Sequence, residues 1–180
     1  MHNPYQAPAT PLEELEQPGE LVFFPVSVVK LLVLSLCTFG LYEIYWFYKN
    51  WQLVKRRENS NIIPVMRSLF GVLFCYSLFE KVSDQAKNAG TGSIAAGLLA
   101  AGWIVLTILW RLPDPYWLVT FLAVLFMLPV QQAINAINSQ AAPGHDPNRT
   151  FSGWNIAAVI IGGLFFVLAL VGIFLPAEQA

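Results

Sequence analysis

The stretch LVFFPVSVVKLLVLSLCTFGLYEIYWFYKNW, residues 21–51, decides the fold. It is apolar over most of its length and ends in a dense run of aromatic side chains. Such a run is too long and too apolar for the surface of a soluble domain. Aromatic and basic residues at its end are typical of the border between lipid tails and headgroups. We therefore predict that residues 21–51 enter a membrane.

The composition of the whole chain points the same way. Of its 180 residues, 56% are hydrophobic and only 12% are charged. Soluble domains carry about a quarter charged residues, and a soluble chain this apolar would expose large apolar patches. The net charge is −1, so the chain lacks the basic surface expected of a nucleic-acid-binding protein. A lipid bilayer is therefore the predicted surrounding, and nucleic acid is not a predicted partner.

Charged residues, prolines and glycines divide the chain into five apolar segments, at about 21–51, 61–80, 94–112, 116–137 and 154–175. We predict an all-α, polytopic helical membrane protein with four to five transmembrane helices, built as a single domain over residues 21–175. Residues 1–20 contain four prolines and predict a flexible tail, and residues 176–180 form a C-terminal stub.

The first segment allows two interpretations. Lys30 and Glu43 leave an uncharged stretch between them that is short of the roughly 30 Å hydrocarbon thickness. Thr38-Phe39-Gly40 could break the helix in the middle, which would make the segment re-entrant. We favour a spanning helix over this re-entrant alternative.

Basic residues predict the orientation in the membrane. Half of the ten Lys and Arg residues fall between 49 and 67, at Lys49, Lys55, Arg56, Arg57 and Arg67. The positive-inside rule places this loop, residues 49–67, in the cytoplasm. If all five segments span, the N-terminus lies outside; if the first is re-entrant, the tail is cytoplasmic and four helices cross.

Four charged residues in the first two segments suggest two intramembrane ion pairs. In an antiparallel hairpin centred on Lys55, Glu43 falls beside Arg67 and Lys30 beside Glu80. Pairing would offset the cost of each charge in hydrocarbon. The alternative is that all four side chains reach the headgroup layers.

A polar stripe is the other candidate site. Gln131, Asn135 and Asn138 share one face of the fourth segment. They could line a substrate path, but we favour the interpretation that the helix leaves the membrane there.

No catalytic, cofactor-binding or metal-ligating residues are predicted, and no cofactor. The sequence shows no Ser/His/Asp set, His-rich cluster or Gly-rich phosphate loop, and Cys37 and Cys75 both lie in apolar segments. An intramembrane enzyme built on Glu43 with Tyr42 and Tyr45 is much less favoured than an aromatic belt with one acid.

The run TFGLYEIYWFYKNW, residues 38–51, resembles the hallmark of a family of bacterial integral membrane proteins described as domain of unknown function 4234. In that family an apolar stretch ends in Thr-x-Gly-Ile/Leu-Tyr, followed by x-x-Tyr-Trp-Phe-Tyr-Lys. The resemblance covers residues 25–57 and departs from the pattern at Glu43. The leader MHNPYQAP also resembles the start of assorted small Gram-negative membrane proteins. The resemblance implies a bacterial cell (inner) membrane location and carries no known activity.

These observations predict a non-enzymatic membrane protein, either a scaffold or an accessory or assembly protein. Its predicted partners are the lipid bilayer and either another membrane protein or further copies of itself. The alternative is a small transporter or channel that uses the polar residues of the helices.

Overall fold

The structure, a computed structural model, describes residues 19–174, and the regular structure in that range is entirely helical. The seven α-helices of this range are α1 Val28–Cys37, α2 Leu41–Arg57, α3 Pro64–Leu69, α4 Gly71–Asn88, α5 Ala96–Ile108, α6 Val124–Ala141 and α7 Gly153–Phe174. Two 3₁₀ segments, Leu109–Arg111 and Tyr116–Ala123, flank the turn between α5 and α6. The all-α fold class is confirmed. The predicted tail, apart from residues 19 and 20, and the predicted stub 176–180 lie outside the described residues.

The first apolar segment is broken into an extended start and two helices, so the prediction of one spanning helix over residues 21–51 is wrong. Ser27 caps α1 by accepting the N–H of Lys30 at 3.1 Å. At the other end Phe39 and Gly40 take positive φ values of 52° and 83°. The Gly40 N–H then closes the helix end by donating to the Ser35 carbonyl at 2.9 Å. Glycine tolerates this geometry, which explains why the break falls here.

The break brings the two ends of the first segment together. The N–H of Phe24 donates to Asn50 Oδ1 at 3.1 Å, and Arg57 Nη1 donates to the Val22 carbonyl at 2.6 Å. A straight helix of thirty-one residues would separate such ends by about 45 Å. The two ends of the first segment therefore lie side by side, which agrees with the re-entrant alternative and not with one continuous helix.

The second apolar segment is also divided into two helices. Pro64 opens the short helix α3, where its missing N–H is harmless, and the chain kinks at Phe70. Helix α4 then continues past the predicted end at Glu80 as far as Asn88. It continues because Val82, Ser83 and Ala86 are buried against the rest of the protein.

The last three segments match their predicted positions. Residues 94–112 form α5 and the first 3₁₀ segment, residues 116–137 fall within the second 3₁₀ segment and α6, and residues 154–175 coincide with α7 up to its end. Arg111 and Asp114 lie at the exposed turn between α5 and α6.

An aromatic core joins these helices. The ring of Phe47 stacks on Phe79 at a centroid distance of 6.3 Å and meets Trp103 edge-on at 5.0 Å. The largest fully buried side chains include Trp46, Trp51, Phe23, Phe47, Phe79, Leu31, Met127 and Ile134. Residues from α1, α2, α4, α5 and α6 all contribute to this cluster, so the broken first two segments belong to the same core as the rest.

Helix α7 is apolar yet mostly exposed. It carries no charged residue, and Trp154, Ile160 and Phe165 are 87%, 65% and 60% exposed. By length and composition, two stretches of the described chain could cross a membrane: Tyr116–Ala141 and Gly153–Ile173. This is weak support for a membrane location, and the count of four to five transmembrane helices stays a prediction.

Contacts with α7 show how deep the bend of the first segment lies. Helix α1 follows α7 in the same direction: Lys30 contacts Thr150 just before α7, Cys37 lies against Gly162, and the Phe39 ring is 6.0 Å from Phe166. At helical rise, Phe166 lies about 20 Å along a helix of about 33 Å. The bend therefore reaches roughly two thirds of the length of α7.

The close approach of α1 to α7 depends on a glycine. A Cβ atom at Gly162 would collide with the main-chain carbonyl of Cys37, whereas a Cβ at Gly172 in the same helix meets nothing. We expect Gly162→Ala to lower the free energy of unfolding by about 1–3 kcal/mol, the usual cost of overpacking. Gly172→Ala is the control and should not destabilise. Unfolding in mixed micelles with increasing dodecyl sulfate measures both, and equal stability of the two variants would contradict this packing.

Candidate functional site

Helix α2, which contains most of the family-like motif, directs its side chains into three surroundings. Trp46 and Asn50 are buried in the core. Glu43 faces an apolar pocket on one side. Tyr45 and Lys49 face a polar pocket on the other.

The buried surrounding holds the extended chain of residues 22–26. These residues make no helix, so their main-chain polar groups need other partners. Asn138 supplies three of them: its Oδ1 accepts the N–H groups of Val22 at 3.1 Å and Phe23 at 3.2 Å, and its Nδ2 donates to the Phe23 carbonyl at 2.8 Å. The buried amide of Asn138 thus makes the hydrogen bonds that regular secondary structure would otherwise provide.

Four further amides complete this arrangement, which we call the amide cradle: Asn50, Gln131, Asn135, Asn138 and Asn148. Asn50 accepts the Phe24 N–H, Gln131 donates to the Phe24 carbonyl at 3.4 Å, and Asn135 donates to the Val26 carbonyl at 3.0 Å. Asn148 donates to the Pro25 carbonyl at 3.1 Å. Pro25 itself has no N–H to satisfy.

The polar stripe therefore has a structural partner within the chain. Gln131 and Asn138 are fully buried, and Gln131 Oε1 also accepts the indole N–H of Trp46 at 2.6 Å. Such side chains do not line an aqueous path, so the substrate-path interpretation finds no support here. Their partner could not be recognised in the sequence, because it is main chain more than a hundred residues earlier and carries no polar side-chain signal.

The two predicted ion pairs, Glu43–Arg67 and Lys30–Glu80, do not form among the described residues. Lys30 Nζ instead donates to Asn148 Oδ1 at 2.7 Å and to the Thr150 carbonyl at 2.8 Å. Glu80 accepts the hydroxyl of Tyr76, one turn away on α4, at 2.9 Å.

The other two charged residues are also separated. Glu43 Oε2 accepts the indole N–H of Trp103 at 2.8 Å, and the Arg67 guanidinium lies 4.4 Å from the ring of Trp51. The predicted register assumed two unbroken helices. The interruptions at Gly40 and Phe70 shift the pairing, so that Arg67 meets an aromatic ring and not the acid.

The apolar pocket, here called the Glu43 pocket, has a volume of about 580 Å³. It lies between the bend of the first segment, the kink at Phe70, helix α5 and the second 3₁₀ segment. Its walls include Leu41, Leu73 and Trp110, which are largely exposed at its rim. Glu43 is the one ionisable residue in the wall, and Trp103 is its hydrogen-bond partner.

The polar pocket, here called the lysine pocket, has a volume of about 480 Å³. Its wall combines one phenyl ring, two ammonium groups, two phenols and several neutral polar groups. The lining residues are Phe24, Lys30, Tyr42, Tyr45, Lys49, Asn148, Thr150, Ser152 and Asn155. Within residues 19–174, no acidic residue lines it. The sequence did not predict this pocket, because the bend at Gly40 is what brings Lys30 near Lys49.

The arrangement offers no metal centre in the described part of the chain, where no group of three or more His, Cys, Asp or Glu residues converges. The structure also separates the three residues that were considered for an intramembrane enzyme. Glu43 lines one pocket, whereas Tyr42 and Tyr45 line the other.

The amide cradle predicts a specific loss of stability. Asn138→Leu would leave two buried main-chain groups of Phe23 and one partly buried group of Val22 unpaired, and a buried unpaired group costs about 1–3 kcal/mol. We expect the free energy of unfolding in mixed micelles to fall by at least about 2 kcal/mol. Ser139→Ala, at an exposed neighbour that bonds only Ala136, should change it by less than about 0.5 kcal/mol. Equal effects at the two positions would rule out the cradle as a main source of stability.

Comparison with known proteins yields no family model, no curated protein and no solved structure that matches this chain. The resemblance of residues 25–57 to domain of unknown function 4234 stays a prediction.

Proposed function

We propose that this chain is a multi-pass protein of the bacterial inner membrane that acts without catalysis, as a scaffold or accessory protein. In this proposal the Glu43 pocket receives a membrane segment of a partner protein that carries a Lys or Arg side chain.

The exposed surface of α7 supports the membrane part of the proposal. This helix of 22 residues has no charge, and most of its large apolar side chains, from Trp154 to Val171, face outward. In water such a surface would drive association, whereas in lipid it is the ordinary surface of a transmembrane helix.

The packing supports a specific topology. In this topology three helices cross the bilayer, namely the α5–α6 hairpin and α7, which is fewer than the four to five predicted from the sequence. The turn at Arg111–Asp114 reaches the far side. Helices α1–α2 and α3–α4 enter from the near side and return to it, because their interruptions at Gly40 and Phe70 line one pocket with Trp103 and Thr107, in the second half of α5. Exposed Lys55 and Arg56 at the end of α2 favour the cytoplasm as the near side.

The observation that carries the partner proposal is the isolated acid of the Glu43 pocket. Glu43 lies near a bend that is roughly two thirds of the way along α7, in a wall otherwise apolar or neutral. An ionised carboxylate at that depth costs several kcal/mol, so Glu43 either stays protonated or needs a cation beside it. No Lys or Arg among the described residues comes within 4.0 Å of it. A basic side chain on a partner helix would supply the missing charge.

The alternative, a small transporter or channel, stays a prediction without a site. The amides on which it rested are occupied by the main chain of residues 22–26. The proposal of a non-enzymatic role rests on the lack of any catalytic residue set in the sequence.

Reporter fusions test the topology. We expect reporters at residues near 20, 58, 90 and 146 to be cytoplasmic and a reporter near 114 to lie on the opposite side. A reporter at 20 that lies opposite one at 58 would contradict the re-entrant first segment, because Phe24 and Asn50 are hydrogen-bonded in this structure.

Photo-crosslinking tests the partner site. Benzoylphenylalanine at Leu41 or Leu73, which are 67% and 73% exposed at the pocket rim, should crosslink one membrane protein in intact cells. The same probe at Val29, equally exposed on α1 but outside the pocket, should not. Glu43→Gln should reduce the crosslink about tenfold or more, since it removes one member of a buried charge pair. The matched control Glu80→Gln, an exposed acid on α4, should leave it unchanged.

Capture of a protein is not sufficient support by itself. The crosslinked peptide must lie in an apolar segment with a Lys or Arg, and reversing both charges, with Glu43→Lys in this chain, must restore the crosslink. A crosslinked segment without a basic residue, or a yield that Glu43→Gln leaves unchanged, would overturn the proposal.

A further inference from the structure

We propose that the lysine pocket is a binding site for an anionic phosphate group, carried either by a phospholipid headgroup or by a free phosphate compound. This site is separate from the Glu43 pocket and does not depend on the partner proposed for it.

The first support is the uncompensated charge of Lys30. This residue is only 4% exposed, and its ammonium donates to neutral oxygens, namely Asn148 Oδ1 and the Thr150 carbonyl. With its amide oriented to satisfy both atoms, Asn155 accepts from the same ammonium at 3.0 Å. These bonds satisfy the hydrogens but leave the positive charge buried, which is costly without an anion nearby.

No acid in the described chain neutralises this charge directly. Asp146 acts on Lys30 electrostatically but lies beyond 4.0 Å, and its carboxylate accepts the N–H of Asn148 at 2.8 Å. The pocket therefore keeps a net positive charge.

The second support is the set of groups that converge on the same space from α2. Tyr42, Tyr45 and Lys49 lie at i, i+3 and i+7, which places them on one face of the helix. Among the described residues, neither phenol hydroxyl nor the Lys49 ammonium makes a hydrogen bond; Lys49 instead lies 5.9 Å from the ring of Phe24. These donors are free to bind the oxygens of an anion. The buried ammonium of Lys30 adds positive charge to the same pocket.

The third support is the position of the pocket at the start of α7. Ser152 and Asn155 line it, so the positive end of the α7 dipole points toward it. In the proposed topology the first turn of this uncharged helix lies level with the headgroups, where tyrosines and lysines are enriched. The volume of about 480 Å³ exceeds that of a phosphate ion and leaves room for the group esterified to it.

Thermal unfolding of the purified full chain in a zwitterionic detergent tests this inference. We expect the Tm to rise with the concentration of dihexanoylphosphatidylglycerol and to change much less with dihexanoylphosphatidylcholine, whose phosphate is neutralised by choline. Sodium phosphate, compared with sodium chloride at equal ionic strength, distinguishes the two sources. A rise with phosphate alone assigns the site to free phosphate compounds, and a rise only with the anionic lipid assigns it to a headgroup.

Lys49→Gln is the decisive variant, because it removes a charge that makes no bond holding the fold together. We expect it to weaken the apparent affinity about tenfold, as for the loss of one charged hydrogen bond. Lys55→Gln removes the same charge from an exposed position on the same helix and should change the affinity less than about twofold. Lys30→Gln should weaken binding as well. If that variant does not fold, the comparison of Lys49→Gln with Lys55→Gln still tests the inference.

Three results would overturn the inference: no rise of the Tm with either anion, an equal rise with the phosphatidylcholine, or equal effects of Lys49→Gln and Lys55→Gln. Because the assay uses detergent-solubilised protein alone, its failure leaves the topology and the Glu43 partner site untouched. Failure of those proposals likewise leaves this binding measurement valid.

Discussion

Residues 22–26 carry main-chain N–H and C=O groups into the interior without a helix to pair them. Unpaired, each would cost about as much as a lost hydrogen bond in an apolar medium. The amide cradle meets this constraint, chiefly through Asn138 on α6, which makes three of the hydrogen bonds. The bend at Gly40 then returns the chain so that Asn50 reaches the same segment. The bend at Gly40 also explains both pockets. Its residues line the Glu43 pocket, and it brings Lys30 and Lys49 to the wall of the lysine pocket.

The amino-acid sequence was sufficient for the part of the fold that depends on composition. An all-α chain and the positions of the last three apolar segments followed from hydropathy and from the Pro and Gly residues that end each run. The first two segments were harder, since hydropathy does not register a bend. Thr38-Phe39-Gly40 did signal a break, but a positive φ at Phe39 is invisible in residue type. The kink at Phe70 comes directly before Gly71, and a single glycine inside an apolar run did not by itself predict a break.

The candidate site residues were likewise predictable from the sequence only in part. Lys30 and Glu43 stood out because charges in apolar runs are rare and tend to be functional. Their partners could not be derived, since Trp103 is sixty residues from Glu43 and Asn148 is 118 from Lys30. Pairing by helical register assumes straight helices, and here both were interrupted. The partners of the asparagine and glutamine side chains could not be derived for a different reason, because an amide serves main chain as readily as water.

The amide cradle also imposes an order on biosynthesis. Val22 is 116 residues ahead of the Asn138 side chain that accepts its N–H. At ribosomal speeds of about 5–20 residues per second, this gap corresponds to about 6–23 seconds. During that interval only Asn50 and Arg57 of α2 are available to bind the extended stretch, and the amides of α6 that complete its hydrogen bonds have not yet been made. A nascent chain truncated before α6 thus lacks most of the hydrogen bonds that hold residues 22–26 in the finished protein.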